Sequence, residues 1–308
     1  MVVSFITVNY NEFEDTCQMI ESVRDHVRGL TYEIIVVDKA SDTNKLSLLI
    51  QKYPFIRAIR DQKDTGIAQG YNVGASIAHG KYLLFLNNDT IVKDNTIHCM
   101  IERLESDHSI GGVSPIIRYT DEYQLVKFAG YTPLSRYTLN NICIGNEEFM
   151  DESFLNPTEI PYLNSTAMMV KREVFDKTGG LPTQYFKYFD EFDWSLTIQH
   201  CGYHLWYEPK CTIYHKRKES TEIQAPIDAF YATRNRFLFA YRNRTPREYF
   251  IIQLYLLFCK VPENIFSCLL KKRVDLLRAT FTGMLNYYSL KKHQKLDSYG
   301  YKFSYFLR

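Results

Sequence analysis

Three groups of side chains in this sequence have the types and spacing to do chemistry. Asn87-Asn88-Asp89 ends the apolar run Tyr82–Leu86. A carboxylate where a buried strand leaves its sheet can hold a hard cation, and Mg²⁺ or Mn²⁺ is typically bound by one or two carboxylates plus substrate phosphates. The same stretch also reads as a loop whose Asp89 caps the next helix. The second group is Asp190, Glu191 and Asp193, set among Tyr188, Phe189, Phe192 and Trp194. Mutual repulsion and apolar surroundings both raise carboxyl pKa values towards those of a general base. One of the three, Asp193 by choice, is expected to cap a helix N-terminus instead. The third group is His215 with Lys216, Arg217 and Lys218. A neutral imidazole can ligate a metal and neighbouring cations can grip a diphosphate; read alone, a histidine beside lysines is an ordinary surface feature. Asp38, ending "EIIVVD", could accept a hydrogen bond from a nucleobase imide or a ribose hydroxyl, or simply begin a turn.

The elements that must position these groups alternate. "VVSFITVNY", "YEIIVVDKAS", "IRAIRD" and "KYLLFLNND" read as strands. "EDTCQMIESVRDHV", "DTNKLSLLIQKY", "GIAQGYNVGASIAHG" and "NTIHCMIERLES" read as helices between and after them. Strands apolar throughout, joined by helices, predict a mostly parallel sheet covered on both faces. Ligands of such sheets sit at the carboxyl ends of the strands, where Asp38 and Asn87–Asp89 fall. Gly66, Gly70 and Gly74 are spaced GxxxGxxxG after the third strand, so they read as close-packing contacts rather than a dinucleotide fingerprint. Asn72 reads as a polar group facing the site. Beyond Gly111 the pattern loosens. A short helix then ends at Gly179-Gly180, a helix from about Asp193 to His200 ends at Gly202, and "YHLWYEP" and "CTIYH" read as two strands.

With 308 residues, 45% hydrophobic, the chain can bury a large core without a metal or disulfide staple. Its seven scattered cysteines form no CxxC pair, which argues against a disulfide framework or a zinc site and suits a reducing cytoplasm. The chain opens on a strand pattern rather than a signal peptide. The net charge of +2 conceals an asymmetry: residues 226–308 carry 15 Lys and Arg against 5 Asp and Glu. Such a basic tail predicts an anionic partner, nucleic acid or lipid. Its longest apolar run, Tyr249–Cys259, is shorter than the about 20 residues that span a bilayer. Basic, aromatic, amphipathic helices of this kind lie in a membrane interface; a helical cap on the catalytic domain or a homodimer contact is the alternative.

In their order, "FITVNYNE", "EIIVVDKASD", "DTGIAQGYNVGASIAHGKYLLFLNNDT", "MMVKREVFDKTGG", "YFDEFDWSLTIQHCGYHLWYEP", "YHK" and "RNRFLFAYRN" resemble the family 2 glycosyltransferases. These are inverting enzymes of the GT-A (Rossmann-like α/β) fold, and the likeness is to their bacterial rhamnosyltransferase-like branch over roughly residues 1–245. The resemblance implies that Val8 and Tyr10 line a base pocket and that Asp38 holds a uracil or thymine imide. Gly66, Asn72, Asn87 and Asn88 are counted with the nucleotide-binding set. Asn87-Asn88-Asp89 replaces the family's Asp-x-Asp, leaving Asp89 as carboxylate ligand of a divalent metal (Mg²⁺ or Mn²⁺), with His215 as second ligand. Lys216, Arg217 and Lys218 would bind the diphosphate. Asp190-Glu191 stands where Glu-Asp is usual, which makes Glu191 the base and keeps Asp190 as its alternative. Asn87 for Asp, the swapped acid order, Ser165 in "LNSTA" for a usual Gly, and Asp64 for a usual Asn depart from the pattern.

The expected organisation is a catalytic domain over 1–225 (a nucleotide-sugar half to 110, an acceptor half from 111) and a helical, amphipathic region over 226–308. The expected activity is metal-dependent, inverting sugar transfer from a UDP- or dTDP-sugar to a lipid-linked glycan acceptor of the O-antigen or capsule kind. The expected location is cytoplasmic, peripheral to the inner face of the cell membrane, with no nucleic-acid partner. The rival readings are a nucleotidyltransferase on a related sheet and a non-catalytic lipid- or nucleic-acid-binding module.

Overall fold

Runs of β-branched and aromatic residues become the strands of one sheet. The computed structural model describes residues 2–41, 43–61, 66–217 and 224–292. Its strands are β1 (Val3–Asn9), β2 (Tyr32–Lys39), β3 (Arg57–Asp61), β4 (Tyr82–Leu86), β5 (Thr90–Ile91), β6 (Ile110–Tyr119), β7 (Leu125–Phe128), β8 (Glu148–Phe149), β9 (Thr158–Glu159), β10 (Ala167–Lys171) and β11 (His204–His215). The helices are α1 (Phe13–His26), α2 (Thr43–Lys52), α3 (Ile67–Ile77), α4 (Ile97–Ser106), α5 (Arg172–Thr178), α6 (Asp190–His200), α7 (Gln224–Asn243), α8 (Pro246–Tyr255), α9 (Val261–Leu270) and α10 (Val274–Lys292).

The sheet runs β3-β2-β1-β4-β10-β6-β11-β5. Its first four strands are parallel, as the alternating pattern predicts. β10 then inserts antiparallel between β4 and β6, so the later half is mixed. β4 lies against a neighbour on each side and every one of its residues is buried, which is why Tyr82–Leu86 is apolar apart from the Tyr82 hydroxyl, which donates to Glu105. "YHLWYEP" and "CTIYH" form one strand, not two. Pro209 falls within a register irregularity between Glu208 and Thr212 and does not end β11.

Two compact units partition the chain. The first comprises residues 1–133, 142–183 and 194–217 and holds the whole sheet; the second comprises 134–141, 184–193 and 218–308. The acidic cluster therefore groups with the C-terminal helices. In that second unit, α7 packs along α10. The Phe237 and Tyr287 rings stack at 5.4 Å, and the Tyr249 and Tyr287 hydroxyls bond at 2.6 Å.

Residues Pro246–Leu270 form one continuous helix, with a π-helical turn at Leu256–Lys260 between α8 and α9. The run judged too short to span a bilayer is thus part of a 25-residue helix long and apolar enough to do so by length and composition. Pro262 lies in the first turn of α9, directly after the widened turn. A π turn shifts the hydrogen-bond ladder that a proline would otherwise interrupt.

Of the three spaced glycines, Gly70 and Gly74 let α3 lie directly on the sheet. A Cβ on Gly74 would stand 2.4 Å from Ile6 Cγ2, and one on Gly70 would stand 2.6 Å from Val8 Cγ2. Gly74→Ala is expected to cost about 1–3 kcal/mol through overpacking. Ser76→Ala, on the exposed side of the same helix, should stay within about 0.5 kcal/mol of the parent. Denaturant midpoints measured side by side check both.

Candidate functional site

In the first unit, the three polar residues after β4 divide their work. Asn87 closes the turn: its N–H donates to the Thr166 carbonyl at 3.0 Å, and its carbonyl accepts from the Thr90 hydroxyl at 2.6 Å. Its side-chain oxygen accepts from the Tyr71 hydroxyl at 3.0 Å. Asn88 Nδ2 donates to Glu12 Oε2 at 3.0 Å and to Thr16 Oγ1 at 3.3 Å, tying the turn to α1. Only Asp89 of the three is delivered to another candidate site residue. The short β5 pairs antiparallel with the end of β11, placing Thr90 opposite His215, and the Lys216 N–H donates to the Asp89 carbonyl. Asp89 Oδ1 and His215 Nε2 consequently lie 3.2 Å apart, each residue 9% exposed.

This pair suits a divalent cation. His215 Nδ1 is buried without a hydrogen-bond partner among the described residues, while Nε2 faces Asp89. Among those residues no group of three His, Cys, Asp or Glu side chains forms a cage. One carboxylate and one imidazole match an ion that completes its shell with water and phosphate oxygens.

The basic run is less available than its sequence implies. Lys216 Nζ pairs with the Asp15 carboxylate, and Arg217 lies 3.8 Å from Asp121 and over the Tyr119 ring. Lys218 lies outside the described residues, as does Asp64. Two of the three cations expected to grip a diphosphate thus face carboxylates in this structure.

The nucleotide-binding candidates sit at the carboxyl end of β1 and around it. Val8 is half-buried under α3, and Tyr10 is 53% exposed. Asp38 is wholly buried, accepting from Asn9 Nδ2 at 2.8 Å and from the Ser41 N–H at 3.3 Å. Gly66 precedes α3 with φ at 86°, a left-handed value that favours glycine. Asn72 does not present its amide to a ligand as expected. Its Nδ2 donates to the Leu181 carbonyl at 2.8 Å and its Oδ1 accepts from the Leu181 N–H at 2.9 Å, clamping the chain after Gly179-Gly180.

In the second unit, the acidic cluster is built on a strained loop. Phe186, Tyr188 and Phe189 all have left-handed backbone, φ 65°, 67° and 71°, immediately before α6. Such residues cost about 1–3 kcal/mol each and persist only where surroundings enforce them. Enforcement comes from α7. Asn235 Nδ2 donates to the carbonyls of Tyr185, Lys187 and Tyr188 at 2.9, 2.5 and 3.1 Å, and Arg234 Nη2 donates to those of Gln184 and Tyr185.

Asp190 and Glu191 follow. Burial, reinforced by the Asp190 charge, holds Glu191 well above the usual glutamate range; burial also raises Asp190, against the hydrogen bond it shares with Glu191. Asp193 is not the expected cap. It is 2% exposed, accepts from Arg242 Nε at 2.6 Å, the Tyr185 hydroxyl at 2.5 Å and Asn243 Nδ2 at 3.0 Å, and fastens α6 to α7. Asn235 and Arg242 lie inside "RNRFLFAYRN", which sequence reading marked as a motif without assigning roles.

Residues 4–179 match the model of glycosyl transferase family 2. The chain belongs to that family. Among its relatives, an uncharacterized glycosyltransferase of Haemophilus influenzae is 26% identical over 64% of this chain and 62% of its own length. Rhamnosyltransferase WbbL of Escherichia coli K12 is 27% identical over 58% of this chain and 70% of its own. The chain thus spans about three-fifths of the first of these relatives. In structure it resembles GalNAc-T7, solved with UDP, GalNAc and Mn²⁺, at TM-score 0.60 and 16% identity, over 79% of this chain and 50% of that one. This likeness establishes the GT-A fold. The family match ends at Gly179, before the acidic cluster, His215 and the α7 clamp.

Breaking the Asp193–Arg242 pair tests the acidic loop's support. Arg242→Met strands a buried carboxylate and is expected to cost about 3–5 kcal/mol. Adding Asp193→Asn, which removes the stranded charge, should recover much of that loss in a double-mutant cycle of unfolding free energies.

Proposed function

We propose that this family 2 member transfers a sugar, with inversion, from a UDP- or dTDP-sugar to a glycan acceptor carried on a lipid, of the kind from which O-antigen or capsule is assembled. The observation that carries this reading is the buried Asp89–His215 pair at the end of the parallel strands. Inversion at an anomeric carbon needs two things: a base to take the acceptor hydroxyl proton and charge stabilisation for the departing diphosphate.

In this reading Asp89 and His215 hold Mg²⁺ or Mn²⁺, which would neutralise charge on the diphosphate. Val8, Tyr10 and Gly66 border the nucleoside; Asp38 orders Asn9 beneath it and meets the base only if its carboxylate is uncovered. Lys216 and Arg217 remain candidates for the phosphates through exchange of their present partners. Glu191 accepts the acceptor's proton, with Asp190 as its alternative. A raised pKa suits that task because proton uptake is most efficient when the base titrates near the working pH. The related structure with UDP and Mn²⁺ supports the donor and metal classes.

Attachment to an anionic membrane, on the cytoplasmic side, is the proposed setting. Phe250, Leu254, Phe258, Phe266, Leu269 and Leu270 line the outer side of Pro246–Leu270, with Phe258 73% exposed. Lys271, Lys272 and Arg273 follow directly, giving the apolar face a basic edge of the kind that favours anionic lipid.

Titrating UDP and dTDP with and without Mn²⁺ tests the donor site: binding should require the metal in the parent and be lost in Asp89→Ala. Glu191→Gln should keep that binding and lose about 10²–10⁴-fold in transfer rate. The rate of the parent should rise with pH through a raised carboxyl pKa. Because the folded state holds the Glu191 proton more tightly than the unfolded chain, ionising it costs stability. That penalty is absent below the usual glutamate value and grows as pH rises through the folded pKa. Glu191→Gln should therefore raise the neutral-pH Tm, by about 2–4 °C per kcal/mol relieved.

Sedimentation with vesicles tests the membrane reading. The protein should pellet with phosphatidylglycerol-containing vesicles, and Phe258→Glu/Phe266→Glu should stay in the supernatant. A soluble dimer of the parent that ignores vesicles would instead assign this face to self-association.

A further inference from the structure

The helices of the second unit leave a cavity between them that has no part in the proposed reaction. Its volume is about 330 Å³, at the low end of the about 300–1,000 Å³ of small-molecule sites. Thr233, Arg236 and Phe237 line it from one face of α7, Lys260 from the widened turn, and Val261 and Asn264 from α9. A single π turn inside a helix is frequently a mark of a functional site. The polar groups of this lining are largely unspent. Thr233 is 8% exposed, and its hydroxyl makes no hydrogen bond among the described residues, unlike that of Thr280, which donates to the Leu276 carbonyl at 3.0 Å. Of the five Arg236 donors, Nη1 bonds Asn140 Oδ1 at 2.9 Å, and burial works against the guanidinium charge. Lys260 faces Glu263 at 3.0 Å, but Glu263 is 65% exposed, and surface pairs of that kind exchange readily. Among the described residues that line the cavity, none is acidic. Two cations, a hydroxyl and an amide around one small space suit an anion, and the arginine fork matches phosphate oxygens in pairs. Phe237 and Val261 add an apolar wall on which carbon attached to that anion can pack.

We propose that this cavity binds a phosphate ester, with the phosphate oxygens between Arg236 and Lys260 and the esterified carbon against Phe237 and Val261. The headgroup of an anionic lipid and a soluble phosphorylated alcohol share this chemistry. The exposed Phe258 and Phe266 on the same continuous helix favour the lipid. The site belongs to the second unit alone and does not depend on the donor-site reading of Asp89 and His215.

Calorimetry on the full chain compares dihexanoyl-phosphatidylglycerol, kept below its micelle concentration, with glycerol 3-phosphate and inorganic phosphate. The short-chain lipid should bind, and Arg236→Met and Lys260→Met should each weaken it about tenfold or more. Lys260 is partly exposed, so its variant keeps the test sound if Arg236→Met fails to fold. Arg278→Met, exposed on α10 and outside the cavity lining, should leave binding unchanged. Glycerol 3-phosphate bound as tightly as the lipid would uphold the site and assign it to a soluble ester. Inorganic phosphate bound as tightly as either ester would show that the apolar wall contributes nothing and overturn the proposal. Equal weakening by Arg278→Met, which marks a diffuse basic surface, would overturn it too, as would binding unchanged in Lys260→Met or no binding of either ester.

Discussion

The pairing of Thr90 with His215 is the constraint on which the first unit's chemistry depends. A strand of two residues contributes little by itself, and this short ladder is held by β11, a long strand that pairs with β6 up to His215. The result is that a carboxylate from the end of one strand and an imidazole from the end of another meet at 3.2 Å without either being carried on a mobile loop. Asn87 and Asn88 complete the device by taking up the backbone and side-chain bonds that shape the turn, leaving Asp89 as the residue aimed at His215.

A different principle governs the acidic cluster in the second unit. There the local backbone is unfavourable, and helix α7 imposes it through one asparagine and two arginines. Asp193, the best-bonded of the three acids, stabilises the arrangement, whereas Asp190 and Glu191 are held where burial works against their charge. The separation is physically sensible. Asp193 spends its oxygens on Arg242, Tyr185 and Asn243, whereas burial raises its two neighbours.

Much of this was legible in the sequence, for identifiable reasons. Apolar strands, helical spacing and glycine stops are local signals, and they located the parallel half of the sheet, the α3 packing glycines and the caps at Gly179 and Gly202. Pairings between distant residues are not local. The insertion of β10 between β4 and β6, the survival of β11 through Pro209, and the continuity of the helix through Pro262 all depend on partners or ladder shifts elsewhere in the chain. The same holds for side chains. Asp193 looked like a cap because its arginine is on α7, Asn72 looked like a ligand contact because Leu181 is far along the chain, and Lys216 looked free because Asp15 is on α1. Composition showed which residues can carry charge; it did not show which of them had already been neutralised.

The Asn235 clamp has a consequence for the order in which the chain becomes competent. Phe186, Tyr188 and Phe189 occupy backbone conformations that they would leave if released, and the amide that holds them is supplied by a residue made later. A nascent chain that has emerged only as far as His215 already contains every strand of the sheet and both members of the Asp89–His215 pair. Its acidic loop still lacks the clamp. The Asp89–His215 pair is thus encoded ahead of the residues that fix the acidic loop, and ribosome-bound or C-terminally clipped chains inherit that asymmetry.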